Sequence, residues 1–303
     1  MLDLDFAFFN MMTTNKQGLV YRKFFLDRLA PVLFSPRLEK LINFNGLGLQ
    51  GGNIFLPLGQ GNWDLLAPGM KRLILEKSIT ILEQYQIPAL AVDRRLKNEF
   101  FSLFNNFPLV FGDNFIKALA SVLVKEFISR RAVKKIIVAG EIPEMPGLLE
   151  DFRQYGIPVS IQNNHPSAYE IMAYHLLYEK GVAVSTSYIN PMEWEKGDLV
   201  VLFEAEGLAL TSPPSFILDL TYDGNHLAPE LANTLKLREM DTSMNTMAPI
   251  LESCLWAKAG FTDTIEEQNN AVAALAGPKN MWVEFNQIGE DIGLWDFFLD
   301  KDI

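Results

Sequence analysis

One cysteine, three histidines and no surplus of positive charge narrow the reading of this 303-residue chain before any pattern is sought. A single cysteine, Cys254, cannot close an internal disulfide, and a reducing compartment fits it. His165, His175 and His226 stand at no metal-ligand spacing, so no metal site is expected. The 26 Lys and Arg against 37 Asp and Glu leave a net charge of -11, a field that repels a phosphate backbone or an anionic lipid surface. Nucleic acid and membrane partners are therefore not expected. No run approaches the roughly 20 apolar residues of a membrane span. The start, MLDLDFAFFN, carries two acids and no base ahead of its apolar residues, the reverse of a secretory leader. A cytoplasmic location is expected. The glycine-rich stretch NGLGLQGG (45–52) has no following Lys-Ser/Thr and is not a phosphate loop; it reads as a strand turn or as an approach to a ligand.

What is present is hydrophobic mass, 49% of the chain, enough for two cores, and a regular alternation of segments. Apolar runs of strand length are expected at 4–9, at two places within 41–58, and at 89–92, 109–111, 135–139, 159–162, 182–185, 199–203 and 216–220. Several are nearly unbroken, as strands buried on both faces should be. Helical spacing marks 20–33, 65–85, 95–104, 114–131, 147–155, 167–179, 249–258 and 265–276. Strands alternating with helices predict an α/β protein: an N-terminal α/β domain (1–115), a Rossmann-like, mostly parallel doubly wound domain (116–245), and a C-terminal helical segment (246–303) packing back on the first domain.

The segment Val133 to Asn164 has the layout of the first βαβ unit of a dinucleotide-binding domain: apolar strand, glycine turn, helix, Gly156, second strand. With glycines counted three apart, Gly140 fills the first place, Pro143 the second and Pro146 the third. A proline has no N–H to give a phosphate, and its ring fills the space that a glycine leaves open. Glu141 and Glu144 would compete with a pyrophosphate at the helix entrance. Gly140, Glu141, Gly147 and Asn163 are then the remnants of a cofactor site. The second strand ends in Gln162-Asn163-Asn164, with neither the acid that reads the ribose hydroxyls of NAD nor an Arg for NADP. NAD or NADP is accordingly disfavoured as a cofactor, and a βαβ unit of another α/β protein stays open as a reading.

Three segments carry a resemblance. NFPLVFGDNFIKALASVLVKEF (106–127) resembles the stretch leading into the nucleotide domain of long-chain acyl-carrier-protein reductases and of the related shikimate dehydrogenases. PPSFILDLTYDG (213–224) resembles the strand and turn that follow that domain in both families, and MAPILESCLWAKAG (247–260) resembles a helix of the acyl reductases. The resemblance implies a two-domain, shikimate-dehydrogenase-like protein with polar groups in an interdomain cleft. It places Asp113 and Asn114 at that cleft, with Glu252 on the matching helix; Asp219, Tyr222 and Asp223 fall at the carboxyl end of a predicted strand, where open α/β sheets place their ligands, and His226 follows them, so that Asp113 and Tyr222 are the candidate proton donors. Helix capping by Asp113 or Asn114, and a local turn at Tyr222-Asp223-Gly224, are the competing structural readings.

The family's nucleophilic cysteine is missing, because its place before Glu252 holds Pro249. Cys254 lies about 200° further round the helix and reads as a small core residue. Glu252 reads as a solvated or ion-paired helix residue. Two functions follow: a relative that has lost ordinary dinucleotide binding and now binds a small molecule or a protein partner, with a homo-oligomer left open, or an NAD(P)-dependent oxidoreductase acting on a carbonyl, acyl or 3-keto acid substrate.

Overall fold

The computed structural model describes residues 4–12, 23–87, 89–103, 109–143, 145–204, 215–221, 228–259 and 281–299. The chain forms two compact units, one of Met1–Gly112 with Glu230–Met281 and the other of Asp113–Pro229 with Trp282–Ile303. The C-terminal segment is thus shared between them.

In the first unit, β1 (Phe6–Met12), β2 (Arg37–Phe44), β3 (Leu49–Gly59), β4 (Leu90–Val92) and β5 (Leu109–Val110) form one sheet in the order β2-β3-β1-β4-β5. All neighbours run parallel except β2 and β3, which are antiparallel. The glycine-rich stretch proves to be the turn and start of that hairpin. Gly48 adopts a left-handed conformation, and Gly51 lies against the Phe6 ring where a Cβ would not fit.

Helices α1 (Lys23–Leu33), α2 (Gln60–Asp64), α3 (Pro68–Tyr85) and α4 (Lys97–Leu103) belong to this unit. Ala7, Phe9, Ile54, Leu56 and Leu58 form one apolar cluster with Trp63, Ile74, Leu75, Leu82 and Phe100. Phe9 meets Phe100 edge-on at 5.4 Å between ring centroids. Helix α3 starts at its proline, three residues after the first apolar position, because Pro68 suits a first turn and nothing before it does. Near the C-terminus come α8 (Pro229–Lys236) and α9 (Met244–Lys258), and α9 packs against β1, β4 and β5. The expected helix at 265–276 lies outside the described residues.

The second unit carries α5 (Asp113–Arg130), β6 (Lys135–Ala139), α6 (Met145–Arg153), β7 (Val159–Gln162), α7 (Ser167–Lys180), β8 (Val184–Ser187), β9 (Asp198–Leu202), β10 (Phe216–Asp219) and α10 (Met281–Asp291). Its sheet runs β10-β9-β6-β7-β8, every pair parallel. Numbered from β6, this is the order 3-2-1-4-5, the first five strands of the Rossmann order, with a topological switch point between β6 and β9. Ile136 pairs with Val159 and Val138 with Ile161, and Leu199, Val201 and Ile217 continue the same sheet.

The passage from β8 to β9 must cross the face of β7 and β6. It does so with a single short turn, Pro191–Glu193, in place of a crossover helix. Trp194 supplies the missing cover, packing with Ile137, Ala139, Val200 and Leu202.

Candidate functional site

The loop after β6 shows how much of a dinucleotide site survives. Gly140 sits at φ +99°, and a Cβ there would come within 2.6 Å of the Glu204 backbone nitrogen. Its own N–H donates to the Gln162 carbonyl at 2.8 Å, and Phe203 N–H donates to the Ala139 carbonyl at 2.8 Å. The first glycine therefore does the work of its place in the fingerprint: a tight turn wedged between β7 and β9. Beyond it the resemblance ends. Ile142 and Met145 are buried and fill the underside of the loop.

Pro143 forms the turn and Pro146 is the second residue of α6, so the helix begins two residues before Gly147. A proline in the first turn costs the helix nothing, since that N–H has no intrahelical partner, but it deletes a donor that a phosphate would use.

The surroundings of this loop are negative. Burial pushes the Tyr169 phenol above its ordinary value, and Glu141 and then Glu204 add to the rise, while the Asn163 amide opposes it. Glu141 follows the end of β6 and Glu204 the end of β9, so two acidic residues stand on the strand ends that flank the switch point.

The end of β7 is occupied with internal bonds. Gln162 Oε1 accepts from the Trp194 indole at 2.8 Å and from Asn190 N–H at 3.4 Å. Asn163 is fully buried; its Oδ1 accepts from His165 N–H at 2.8 Å, and its backbone N–H donates to the Ser187 carbonyl. The Asn163 amide nitrogen makes no hydrogen bond of ordinary geometry.

Other residues singled out from the sequence fall as follows. Asp113 and Asn114 are half-buried at the start of α5. Asp219 ends β10, where its Oδ1 accepts from both the N–H and the hydroxyl of Thr221, at 3.0 and 2.6 Å. That is a local turn of the kind such residues make. Tyr222, Asp223 and His226 lie outside the described residues. Glu252 is 3% exposed on α9, so the solvated reading is corrected: the first unit packs this helix on the sheet with nearly every residue inside.

Cys254 is fully buried, and burial drives its thiol well above the ordinary range. It has the character of a core residue, not of a nucleophile. Pro249 lies within α9, and Gly112, at φ +85°, comes so close that a Cβ would stand 2.7 Å from the Pro249 nitrogen. The two positions at which the resemblance and its departure were read are therefore in contact.

A second site was not legible in advance. At the carboxyl ends of β1 and β4, a cavity of about 190 Å³ is lined by Asn10, Gln60, Asp93, Arg95, Asp241 and Thr246, with apolar walls from Phe9, Met11, Met12, Leu96 and Met240. The Arg95 guanidinium is paired with the acids of the cleft: it donates to both Asp93 oxygens, at 2.9 and 2.6 Å, and to Asp241 at 3.2 Å. Glu239 at the rim accepts from Lys40 at 2.6 Å. Asn10, Gln60 and Thr246 complete the polar lining, Asn10 half-buried and Gln60 exposed. Thr246 is 2% exposed.

The signal that could have found this cleft is positional. Asn10, Gln60 and Asp93 each sit at the carboxyl end of a parallel strand, where open α/β sheets place their ligands. Asp241 and Thr246 arrive from a segment some 150 residues later, which no local pattern shows. Among the described residues, no group of three His, Cys, Asp or Glu could hold a metal ion, and no helix is long and apolar enough to cross a membrane.

No protein-family model and no curated protein matches the chain. Among solved structures it is similar to L-tryptophan dehydrogenase from Nostoc punctiforme, with a TM-score of 0.41 and 10% identity over 95% of this chain and 82% of that one. It is also similar to a shikimate 5-dehydrogenase-like protein, with a TM-score of 0.33 and 13% identity over 90% of this chain and 98% of that one. The fold of each unit rests on its own strand order.

Proposed function

We propose that this protein binds a small, phosphate-free polar molecule in the cleft of its first unit, and that its Rossmann-type second unit has lost ordinary dinucleotide binding. The observation that carries the reading is the convergence of Asn10, Gln60 and Thr246 on one cavity at the carboxyl ends of β1, β3 and β4. A small polar ligand or water in the cavity would give these side chains hydrogen-bond partners. At about 190 Å³ the cavity is smaller than the roughly 300–1,000 Å³ of sites for drug-sized ligands.

Its charge selects further. Asp93, Asp241 and Glu239 outnumber Arg95, which is paired with Asp93 and Asp241, so hydroxyl and amino groups suit the cleft better than carboxylate or phosphate. In the second unit, the support is chemical: prolines at two glycine places, acidic residues on the flanking strand ends, and Gln162 engaged with Trp194 where a ribose-reading acid would stand.

A thermal-shift screen of hydroxylated and amino compounds at millimolar concentration tests the cleft. A ligand at 100 times its Kd stabilises by about 2.7 kcal/mol, and this shift should vanish in Asn10→Leu and Thr246→Val. If no compound raises Tm, or if both variants keep the shift, the reading fails. The alternative, an NAD(P)-dependent oxidoreductase with the cofactor held by an unusual loop, draws on the retained strand order and the Gly140 turn. It requires cofactor-dependent turnover by the unmodified chain.

A further inference from the structure

The two sheets treat their edges differently. At the edge of the first, β2 carries Arg37, Glu39 and Lys40 and breaks register with β3 between Leu38 and Lys40. Charges and an irregularity of this kind keep a sheet from pairing with another chain. At the edge of the second, β8 reads Val-Ser-Thr-Ser, with no charge, no proline and no register shift against β7. Its outer backbone groups have no strand partner among the described residues.

Beside this open edge lies α7, with one buried residue, Leu176, in 14. Ile171, Tyr174, Leu177 and Tyr178 are exposed, two of them above 70%, and Tyr174 and Tyr178 stack on one another at 5.1 Å. The face is continuous with the strand. A hollow of about 790 Å³ is lined by Ile171, Tyr174 and Tyr178 together with Thr186 of β8, and a second of about 450 Å³ by Tyr174, Leu177 and Val184. A solvated helix does not ordinarily collect its aromatic residues beside an unprotected strand.

We infer that β8 and α7 form a homodimer interface, the two β8 edges pairing antiparallel across a twofold axis with the two α7 helices packed beside them. A second copy is the occupant because the surface complements itself. A parallel sheet's free edge meets its twofold copy antiparallel, which joins the two sheets into one of ten strands. The same axis lays α7 antiparallel to its copy, so the Glu170 end of one helix faces the Lys180 end of the other and the helix dipoles oppose.

The area is adequate. With Tyr188, which continues β8 and is 69% exposed, the apolar side chains named offer roughly 800 Å² on each copy, about what a standard interface covers per partner. The larger hollow is also lined by Glu170 and by Glu179, which pairs with His175 at 3.0 Å, so for a chain of net charge -11 added salt should favour association by screening like charges on the two copies.

Sedimentation velocity of the full chain from 1 to 100 µM tests this, alongside Tyr174→Lys, Ser185→Lys and, as a control on exposed apolar surface elsewhere, Leu237→Lys. The expected result is a species of twice 34.2 kDa for the wild type and for the control. Each interface variant should raise the dimer dissociation constant by about a hundredfold or more while keeping the wild-type Tm of the monomer. Tyr178→Lys, at a 73% exposed position, replaces either variant that fails to fold. A wild type that is monomeric at 100 µM, or a dimer that survives both interface substitutions, would overturn the inference.

Discussion

Gln162 accepts a hydrogen bond of 2.8 Å from the indole N–H of Trp194, both side chains being 2% exposed. The pair joins the end of β7 to the loop that crosses the sheet from β8 to β9. That loop has no helix to hold it down, so Trp194 packs on Ile137, Ala139, Val200 and Leu202, and Gln162 fixes the ring by its one polar atom. The residue at the ribose-reading place is therefore a structural clamp. Gln162→Leu should destabilise the protein by about 1–3 kcal/mol, the cost of leaving a buried donor unpaired. Chemical denaturation followed by tryptophan fluorescence checks it, and a variant as stable as the wild type would show that the clamp carries no energy.

Gly140→Ala should cost more than a helix or surface substitution of the same size. The left-handed φ of +99° strains any L side chain, and the new Cβ meets the Glu204 backbone at 2.6 Å. Strain of this kind and a backbone shift each contribute about 1–3 kcal/mol. The urea midpoint should fall accordingly. A value unchanged from wild type would mean that the β6 and β9 ends are not wedged together as described.

At the alkaline end, Tyr155 sets a pH dependence. Burial, with help from the Asp151 carboxylate, raises its phenol from 10.0 to about 12. The unfolded chain therefore releases this proton first, and from about pH 10 to 12 the folded state holds a proton that the unfolded state has lost. Stability falls with rising pH across that window. Tyr155→Phe should lose less stability between pH 10 and 12 than the wild type does, as read by urea midpoints. Equal slopes for the two proteins would contradict the assignment.

Asp151 carries a burial-raised pKa of its own, opposed by hydrogen bonds from Ser121 at 2.6 Å and Gln154 at 2.8 Å. Folding then carries a charge cost at neutral pH that protonation relieves. Asp151→Asn keeps an acceptor for the Ser121 hydroxyl and removes the charge, so its Tm relative to wild type should be highest at neutral pH and should decline as the pH is lowered through the carboxylate range. A difference that does not vary with pH would place the effect elsewhere.

The parallel sheet of the second unit was legible because its strands are short unbroken apolar runs separated by amphipathic helices, and Ile136, Val138, Val159 and Ile161 pair as that pattern requires. Helix starts moved by two or three residues where a proline sits in the first turn: α3 begins at Pro68 instead of Leu65, and α6 at Met145, just before Pro146, instead of Gly147. The first-unit cleft was not legible. Its residues come from Asn10 to Thr246, and only the fold brings them together. Glu252 escaped because an acid on a helix looks solvated until the helix is seen to be packed. The crossover by Trp194 escaped as well, since a loop with one tryptophan carries no periodicity.

The most direct measurement is calorimetric titration of NAD and NADP into the unmodified protein and into the Pro143→Gly/Pro146→Gly variant. Replacing the prolines returns an N–H at each position and lets the backbone approach a pyrophosphate. Glu141 remains, and Gln162 stays engaged with Trp194, so regained binding should be weak and poorly selective between the two cofactors. No heat of binding is expected at millimolar cofactor for the unmodified chain, and a weak, measurable Kd for the variant. Tight binding of either cofactor by the unmodified chain would contradict the loss of dinucleotide binding.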